Sequence, residues 1–377
     1  MLSLNKLSFW ELETYFNNVD HVVVGAGIVG FSTALSLRVK YPDDKILIIE
    51  RGNLPTGAST KNAGFACFGS PTELISDINK IGEKNVKELI KKRWDGLSVL
   101  LKNTGKSKID YQNNGSFEIF KTEEHEKYSS FVDKIDYLNK LVFNAIGKKN
   151  TFEVANINLF KFKNISGIIK NNFEGQIDTG KMMQQLYKKV IANEINCLFN
   201  ITLNNWTDNN SKVELNTSIG DFNTKNLYIA TNGLSHLILD NEDVEPARAQ
   251  VLITTPLKTI PFEGTFHYEE GFYYFRNIGN RVLLGGGRNL DLDGETTSNF
   301  ENTSLITNKL KTLLREVILP NTTFEIEHQW SGIMGVGKSK EPIIKRISPN
   351  VFIGIRLGGM GVALGSLVGE ELALIND

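Results

Sequence analysis

Three glycines near the start of the chain have a spacing suited to binding phosphate groups. Gly25, Gly27 and Gly30 form the pattern G-x-G-x-x-G in the stretch VGAGIVG. The first glycine permits a tight turn, the second lets the backbone approach a pyrophosphate, and the third lets a helix pack close to a strand. Together with Ala26 and Ile28, these residues are predicted to bind the pyrophosphate of a dinucleotide.

An acidic residue follows at a distance typical of a ribose ligand. Glu50 lies 20 residues after Gly30, and Arg51 comes next as a further candidate. A carboxylate at this position can accept hydrogen bonds from the ribose hydroxyls and would repel a 2′-phosphate, which disfavours NADP. The pattern by itself leaves both NAD and FAD open.

The flanking residues predict the elements that must position these groups. The run HVVV at 21–24 predicts a buried strand, and the pattern over 28–40 predicts a helix that Pro42 helps to end. The run KILIIE at 45–50 predicts a second buried strand, because its apolar residues do not alternate with polar ones. The glycine turn would then lie at the N-terminus of a helix, where free N–H groups and the helix dipole favour an anion.

The residues after this β-α-β unit separate FAD from NAD. The combination of ERG at 50–52, GAS at 57–59 and NAG at 62–64 resembles the D-amino-acid oxidase superfamily of FAD-dependent oxidoreductases, which includes glycine and sarcosine oxidases. The resemblance implies a small-residue loop beneath the pyrophosphate and the flavin. Its candidate cofactor contacts are Ser59, Thr60, Lys61, Asn62, Ala63 and Gly64. Small residues also have a physical reason here, since they let backbone donors reach an anionic ligand.

Shorter matches to the same family continue along the chain. They are GQID at 175–178 (followed by Thr179 where a proline is usual), ATNG at 230–233, WSG at 330–332, EPI at 341–343 and RLGGMGVALG at 356–365. The last resembles a second flavin-contacting glycine loop that leads into a helix, whose N-terminus would favour the negative charge of a reduced flavin. The implied cofactor contacts are Gly233, Gly332, Gly358, Gly359, Met360, Gly361 and Val362.

The resemblance implies an α/β fold class, α+β overall. A Rossmann-like FAD-binding domain would comprise residues 1–84, 171–246 and 325–377. A substrate domain built on a mixed, largely antiparallel sheet would comprise residues 85–170 and 247–324. The residue patterns independently predict β-rich segments at 111–121 and 250–287.

Substrate-contacting candidates are fewer. Amino-acid-oxidising members of the family commonly bind the substrate carboxylate with an arginine soon after W-x-G, but Ile333 and Met334 stand there in this chain. Arg276, Arg288 and Arg356 are the alternatives, because a guanidinium pairs bidentately with a carboxylate. Tyr273 and Tyr274 alternate on one predicted strand, so only one can face the flavin, and Tyr273 is the candidate. His267 and Tyr268 are interpreted as structural.

The overall composition limits the classes of partner and compartment. The net charge of −1 predicts no DNA partner, and two cysteines with no long apolar stretch predict a reducing, cytoplasmic location without a membrane span. The histidines and cysteines show no metal-ligand spacing, so no metal site is expected. The resemblance implies noncovalent FAD, since the cysteine that carries flavin in monomeric sarcosine oxidases has no counterpart in the C-terminal part. Neither the oligomeric state nor the electron acceptor is indicated.

The function that these features favour is FAD-dependent oxidation of a C–N bond. A small amine or amino acid would lose a hydride from the carbon bearing nitrogen, and the resulting imine would hydrolyse. The alternatives are flavin-dependent oxidation of a 2-hydroxy acid or of a modified tRNA side chain, an NAD-dependent dehydrogenase, and a cofactor-binding protein without turnover.

Overall fold

A computed structural model describes residues 3–375. The α-helices are α1 (Phe9–Glu11), α2 (Ile28–Lys40), α3 (Ala58–Lys61), α4 (Pro71–Ile81), α5 (Glu83–Thr104), α6 (His125–Val132), α7 (Ile135–Ile146), α8 (Thr179–Ala192), α9 (Ser304–Leu313) and α10 (Gly361–Leu374). Short 3-10 or π turns occupy Leu4–Lys6, Leu12–Phe16, Lys106–Ile109, Thr122–Glu124, Ile157–Leu159, Asn232–Leu237, Arg288–Leu290 and Leu314–Ile318. No helix within the described range is both long and apolar enough to cross a membrane.

The strands form two large sheets and one short ribbon. In chain order they are β1 (Val19–Val24), β2 (Ile46–Glu50), β3 (Phe65–Ala66), β4 (Ser116–Lys121), β5 (Phe152–Val154), β6 (Ile165–Asn171), β7 (Gly175–Gln176), β8 (Asn196–Phe199), β9 (Leu203–Asp208), β10 (Val213–Thr217), β11 (Gly220–Ile229), β12 (Glu245–Thr254), β13 (Thr265–Tyr268), β14 (Tyr273–Ile278), β15 (Arg281–Gly286), β16 (Ile326–Val336), β17 (Ile343–Ser348) and β18 (Val351–Ile355).

The first sheet has a parallel centre. Its order is β17-β18-β11-β1-β2-β8, with β18, β11, β1, β2 and β8 parallel and β10 and β9 adding an antiparallel extension beside β11. The central strands are apolar runs with no alternation, because helices cover one face and the N-terminal turns and the β9–β10 hairpin cover the other. The α/β fold class is therefore confirmed, as is the helix expected over 28–40.

Helices α2 and α10 leave this sheet side by side and in the same direction. A Cβ on Gly365 would lie 2.8 Å from Cγ2 of Ile28, and one on Gly369 would lie 2.5 Å from Cβ of Ser32. Successive turns of the two helices are therefore paired in parallel, and glycine lets them approach closely. Both N-termini consequently face the edge where β1 and β18 end, the usual ligand edge of an open α/β sheet.

The second sheet is mixed, as expected. Its order is β16-β12-β15-β14-β13-β4-β6-β5, and its described pairs are antiparallel except that β13 pairs with β4 in parallel. One face packs an apolar cluster of phenylalanines and leucines against α9. The β-rich segments expected at 111–121 and 250–287 supply β4 and β12 to β15, so those two expectations are confirmed.

The stretch 71–104 forms two helices, α4 and α5, because Gly82 between them adopts a φ of +81°, which a regular helix cannot include. The proposed division into domains stays a proposal, and β16 argues for one change. It pairs with β12 in the second sheet, whereas the range 325–377 assigns it to the FAD-binding domain. Residues 1–2 and 376–377 of those ranges lie outside the described residues.

Candidate active site

The glycine turn between β1 and α2 is packed too tightly for other residues. Gly25 has a φ of +104°, and a Cβ there would lie 3.0 Å from the carbonyl oxygen of Ala230. A Cβ on Gly30 would lie only 1.8 Å from the carbonyl oxygen of Gly25. Gly27 is the N-cap of α2, and a Cβ on it would lie 2.8 Å from Oγ of Ser59. The turn thus brings the N-terminus of α2 against the end of β1, the geometry that backbone binding of phosphate requires.

The Glu50 carboxylate is held beside this turn. The backbone N–H of Ala26 donates to its Oε2 at 3.0 Å, and the N–H of Gly52 donates to its Oε1 at 3.0 Å. The side chain is buried at the end of β2, while Arg51 is exposed. Each carboxylate oxygen can accept more than one hydrogen bond, so Glu50 keeps acceptor capacity for two neighbouring hydroxyls.

The loop that follows β2 and contains α3 is held by hydrogen bonds from its own side chains and from β16. Oγ of Ser59 accepts from the N–H of Ile28 at 3.0 Å, which links α3 to the start of α2. The hydroxyl of Thr60 donates to the carbonyl oxygen of Pro55 at 2.8 Å. Trp330 donates from Nε1 to the carbonyl oxygen of Lys61 at 3.0 Å, so the strand β16 also holds the loop.

Asn62 organises the turn that carries Ala63 and Gly64. Its Oδ1 accepts from the N–H of Gly64 and from the hydroxyl of Thr179, both at 2.8 Å. Its amide nitrogen donates to the carbonyl oxygens of Ala58 and Ser59. Thr179 departs from the family pattern, and its hydroxyl makes a hydrogen bond that proline could not.

The second glycine loop meets β16 and the turn after β11. Oδ1 of Asn232 accepts from the N–H of Leu357 at 3.1 Å, and the N–H of Gly358 donates to the carbonyl oxygen of Gly335 at 2.9 Å. A Cβ on Gly233 would lie 2.2 Å from the carbonyl oxygen of Met334. The motifs ATNG, WSG and RLGGMGVALG are therefore neighbours in space, although up to 135 positions separate them in sequence.

Three helices begin around one point in this region. Gly27, Gly57 and Met360 are the N-caps of α2, α3 and α10, and within residues 3–375 none of these three residues caps its helix with a side chain. The first N–H of α2, that of Ile28, donates to Ser59, whereas a Cβ placed on Gly57, Gly358 or Gly361 would meet no described atom within 4 Å. Helix N-termini with open space in front of them, as at α3 and α10, suit phosphate groups and an electron-rich ring. The site therefore fits a flavin dinucleotide by its own geometry.

Gly332, Gly359 and Val362 complete the sequence-predicted set. A Cβ on Gly332 would lie 2.9 Å from Cβ of Lys61, so this glycine lets β16 approach the α3 loop. Gly359 lies beside Met334, whose Sδ would be 3.9 Å from a Cβ there. Val362 is buried in the first turn of α10. The structure thus places the two glycine loops, the α3 loop and Glu50 around one region, with Arg51 exposed beside Glu50. Which of these residues contact the cofactor stays a proposal.

One face of the second sheet is turned toward this loop, and we call it the inner face. The register aligns Trp330, Val251, Gly285, Tyr274, His267 and Glu118 in one row across six strands. The Phe65 ring lies edge-on to the rings of His267 and Tyr274, with centroid separations of 5.3 and 5.8 Å. Because Phe65 directly follows the Asn62–Gly64 turn, the row lies over the end of the FAD-binding loop.

Tyr274, and not Tyr273, belongs to the inner face. Tyr273 is completely buried in the apolar cluster of the opposite face, together with Ile306 of α9. The Tyr274 ring covers Gly285, where a Cβ would lie 2.5 Å from the ring. We therefore move the proposed substrate contact from Tyr273 to Tyr274. Alternation correctly indicates that only one of the two can face the flavin, but it does not indicate which.

Arg276 lies on the inner face, but it binds the protein itself. Its Nη1 donates to the carbonyl oxygens of Gly64 and Ile177 at 2.9 and 2.7 Å, and its Nε donates to that of Asn277 at 3.3 Å. Burial lowers the pKa of Arg276 to about 10, so the side chain remains charged at neutral pH. Gly64 has a φ of +73°, and a Cβ there would lie 2.5 Å from this Nη1. Arg276 and Gly64 therefore act as one clamp on the loop.

The other two candidate arginines differ from each other. Arg356 is ion-paired with Asp243 and donates from Nε to the carbonyl oxygen of Glu341 at 3.0 Å, so it fastens the loop after β16. Arg288 makes one long hydrogen bond, 3.4 Å from Nη2 to the hydroxyl of Thr296. Its Nε is buried without a hydrogen-bond partner in the described chain. Of the three, Arg288 is the one left available for an anionic substrate group.

Two buried carboxyl groups, Glu118 at the end of the row and Glu174, were not singled out by the sequence. Glu118 on β4 accepts from the Thr72 N–H at 3.0 Å, from the Thr72 hydroxyl and from the Ser70 hydroxyl. Burial raises the pKa of Glu118 to about 7, and these hydrogen bonds oppose it. Burial likewise raises the pKa of Glu174 to about 7, although the N–H groups of Phe68 and Gly69 donate to it.

A second, charged group of side chains joins α4 to α5 and to the loop after β16. Burial would raise the pKa of Glu73, but Arg93 and Lys340 outweigh burial and lower it to about 2. Arg93 is completely buried and donates to Oε1 of Glu73 at 3.1 Å, and Lys340 bridges Glu73 and Asp77. These charges therefore neutralise one another. No group of three or more His, Cys, Asp or Glu side chains within residues 3–375 is arranged to hold a metal ion.

Comparisons with known proteins agree with this geometry. A sequence model of the DAO family, described as FAD dependent oxidoreductase, matches residues 20–375. The chain is 20% identical to the probable oxidoreductase OrdL of Haemophilus influenzae over 96% of this chain and 83% of that protein. Its fold is similar to that of L-proline dehydrogenase from P. horikoshii (TM-score 0.75, 16% identity, 94% of this chain and 92% of that chain). It is also similar to glycine oxidase from Bacillus cereus ATCC 14579, with a TM-score of 0.72 and 16% identity over 95% of this chain and 94% of that chain.

The family match covers nearly the whole chain, including both glycine loops and the second sheet. It removes the alternative of an NAD-dependent dehydrogenase, because the matching family is defined by FAD. The chain belongs to the DAO family and is an FAD-dependent oxidoreductase.

Proposed function

We propose that this enzyme oxidises a C–N bond of a small amine or amino acid. The carbon bearing the nitrogen would lose a hydride, and the resulting imine would hydrolyse to a carbonyl compound and ammonia, or to a carbonyl compound and an amine where the substrate is a secondary amine. The observation that carries the proposal is the row of Tyr274 and His267, whose rings meet Phe65 at the end of the FAD-binding loop. The names of two structurally similar proteins, glycine oxidase and L-proline dehydrogenase, support substrates with such a bond.

The chain's own groups would hold the cofactor as follows. The N-terminus of α2 and Ser59 would bind the pyrophosphate, Glu50 would accept from the ribose hydroxyls, and the N-terminus of α10 would face the flavin. Bound FAD would supply an acceptor for a hydride, which carries the two electrons of the oxidation. Burial raises the pKa of both Cys67 and Cys197, which keeps these thiols protonated and unreactive. We expect noncovalent FAD, which acid precipitation would release from the protein.

The polar groups nearest the inner face would orient the substrate. The Tyr274 hydroxyl and the His267 ring are uncharged at neutral pH, since burial raises the pKa of Tyr274 to about 12 and lowers that of His267 to about 4. Arg288 is the proposed anchor if the substrate carries a carboxylate. Met334 beside Gly359 offers a thioether, so this part of the site would contact an uncharged part of the substrate.

Anaerobic mixing of the FAD-loaded enzyme with candidate substrates tests the proposal. Primary and secondary amines and amino acids are compared with matched 2-hydroxy acids and with tRNA, and loss of the visible flavin absorbance is followed. At least one amine or amino acid should bleach the flavin and yield the corresponding carbonyl product. Bleaching by a 2-hydroxy acid or by tRNA, with none by any amine, would replace the proposal by one of those alternatives. Re-oxidation by oxygen or by a dye then identifies the class of electron acceptor.

A further inference from the structure

The imidazole of His267 contains a polar atom that its protein surroundings leave unused. Its Nε2 is buried and has no hydrogen-bond partner among the described residues. Buried nitrogen atoms are nearly always hydrogen-bonded, because leaving one unpaired costs free energy. His267 stands on the inner face, in register with Tyr274 on one side and Glu118 on the other. A partner supplied by a ligand at this position would remove the cost.

The groups around His267 set the charge that such a ligand can carry. Tyr274 on β14 is a neutral hydroxyl, and Phe65 on β3 is apolar. Glu118 on β4 is already bonded to the first turn of α4, and Glu73 on α4 is neutralised by Arg93 and Lys340. Burial lowers the pKa of His267 to about 4, although Glu73 opposes it, so the ring is neutral at physiological pH. A neutral imidazole offers one donor and one acceptor to a polar, uncharged group.

The chemistry of C–N oxidation also requires the substrate nitrogen to be uncharged. When hydride leaves the carbon, the lone pair of the nitrogen must form the new C=N bond. An ammonium ion has no such lone pair, so its proton must leave first. We propose that Nε2 of His267 is the hydrogen-bond partner of the substrate nitrogen, which binds as an uncharged amine and leaves its extra proton in bulk solvent. This inference rests on the proposed C–N oxidation and names the residue and the charge state through which it works.

Binding of an amine that cannot react tests this directly. tert-Butylamine has no hydrogen on the carbon bearing nitrogen, and 2-aminoisobutyrate is the matching amino acid. Tetramethylammonium has a similar volume, but it is always charged and has no N–H. Each compound is titrated into the FAD-loaded enzyme, and the change in flavin absorbance gives its Kd. Below the pKa of the amine, the Kd of at least one N–H compound should fall about tenfold per pH unit as the uncharged fraction rises. Glu118 titrates in the same range, so the series is repeated in Glu118→Gln.

Variants then assign the effect to the ring nitrogen. His267→Phe keeps an aromatic ring against Phe65 and should weaken binding of the uncharged amine about tenfold or more. His267→Asn keeps a hydrogen-bonding group and should recover part of the affinity. His125→Phe, on the exposed start of α6, is the matched control and should bind as the wild type does. FAD content and melting temperature establish that each variant is folded.

A spectroscopic measurement is independent of turnover. In protein labelled with ¹⁵N-histidine, the Nε2 resonance that His267→Asn removes should shift on saturation with the amine and stay in place with tetramethylammonium. Equal binding of tetramethylammonium, unchanged affinity in His267→Phe, or no binding of either amine probe would overturn the inference. If amines bleach the flavin and His267→Phe binds the probes normally, only the inference fails. If no amine bleaches the flavin at all, the proposed function fails as well.

Discussion

Replacement of Arg276 by methionine separates two roles that this side chain could have. As a substrate anchor, Arg276 would set the affinity for a carboxylate and leave the cofactor alone. In the structure it donates to the carbonyl oxygens of Gly64 and Ile177, at 2.9 and 2.7 Å, and so fastens the loop that would lie beneath the flavin. We therefore expect Arg276→Met to weaken FAD binding and to leave substrate affinity per bound flavin nearly unchanged.

The size of the effect follows from two opposing contributions. Each charge-assisted hydrogen bond is worth about 1.5–3 kcal/mol, so the two carbonyl contacts together contribute about 3–6 kcal/mol. The buried guanidinium has its pKa lowered from 12.5 to about 10, which corresponds to about 3 kcal/mol of burial cost that the variant would no longer bear. The difference is about 0–3 kcal/mol, and its midpoint of about 1.5 kcal/mol would weaken FAD binding about tenfold.

Fluorescence titration of the apoenzyme with FAD measures this constant. Arg281→Met is the matched control, because Arg281 lies on the adjacent strand β15 and makes an exposed ion pair with Glu327. Exposed pairs contribute about 0–1 kcal/mol, so the control should bind FAD normally. The clamp would be refuted if Arg276→Met retained wild-type FAD affinity while losing affinity for 2-aminoisobutyrate but not for tert-butylamine.

Three further substitutions test other parts of the site. Gly30→Ala would place a Cβ 1.8 Å from the carbonyl oxygen of Gly25, so we expect FAD binding to fall more than about tenfold, while Gly180→Ala in α8 should have little effect in the same titration. Burial raises the pKa of Glu118 from 4.5 to about 7, so folding favours the protonated form of this carboxyl. The free energy of unfolding should therefore fall, by up to about 3 kcal/mol, as the pH rises from about 4.5 to 7. Glu118→Gln should therefore lose less stability than the wild type between pH 5 and 8 in urea unfolding, and parallel curves for the two proteins would argue against the buried carboxyl. Arg288→Met should raise the Kd of 2-aminoisobutyrate about tenfold and leave that of tert-butylamine unchanged, whereas equal losses for both would remove Arg288 as an anchor.

The fold and the cofactor site could be predicted far better than the substrate site, for physical reasons. The glycine turn, Glu50 and the α3 loop depend on backbone geometry that few residues other than glycine can adopt, so the sequence itself carries the constraint. Gly30 illustrates this, since a single added carbon would overlap a carbonyl oxygen. The family match over residues 20–375 agrees with the prediction of an FAD-dependent enzyme.

The substrate side depends on contacts between strands that are far apart in sequence. Tyr273 and Tyr274 are adjacent, and only the register of β13, β14 and β15 decides which ring meets Phe65. Arg276 has the residue type of a carboxylate anchor, yet its partners are the carbonyl oxygens of residues 64 and 177. The signal that could have indicated this role is Gly64 itself, because a glycine with positive φ in a loop permits another chain segment to approach.

His267 is interpreted as structural from the sequence, because nothing in its neighbourhood along the chain distinguishes it. Its importance arises from the row that β4, β13 and β14 form together, and from burial that leaves Nε2 unpaired. Glu118 is likewise an ordinary strand residue in sequence. Its hydrogen-bond partner Thr72 lies 46 residues earlier in the chain. Long-range packing therefore decides the titration behaviour of both groups.

A crystal structure of the protein with FAD and tert-butylamine tests the central claim most directly. We expect the pyrophosphate at the N-terminus of α2, the ribose hydroxyls on Glu50, and the isoalloxazine between the second glycine loop and the inner face, with the amine next to His267 and Tyr274. An isoalloxazine placed away from the inner face, or an amine bound on the far side of the second sheet, would contradict the account.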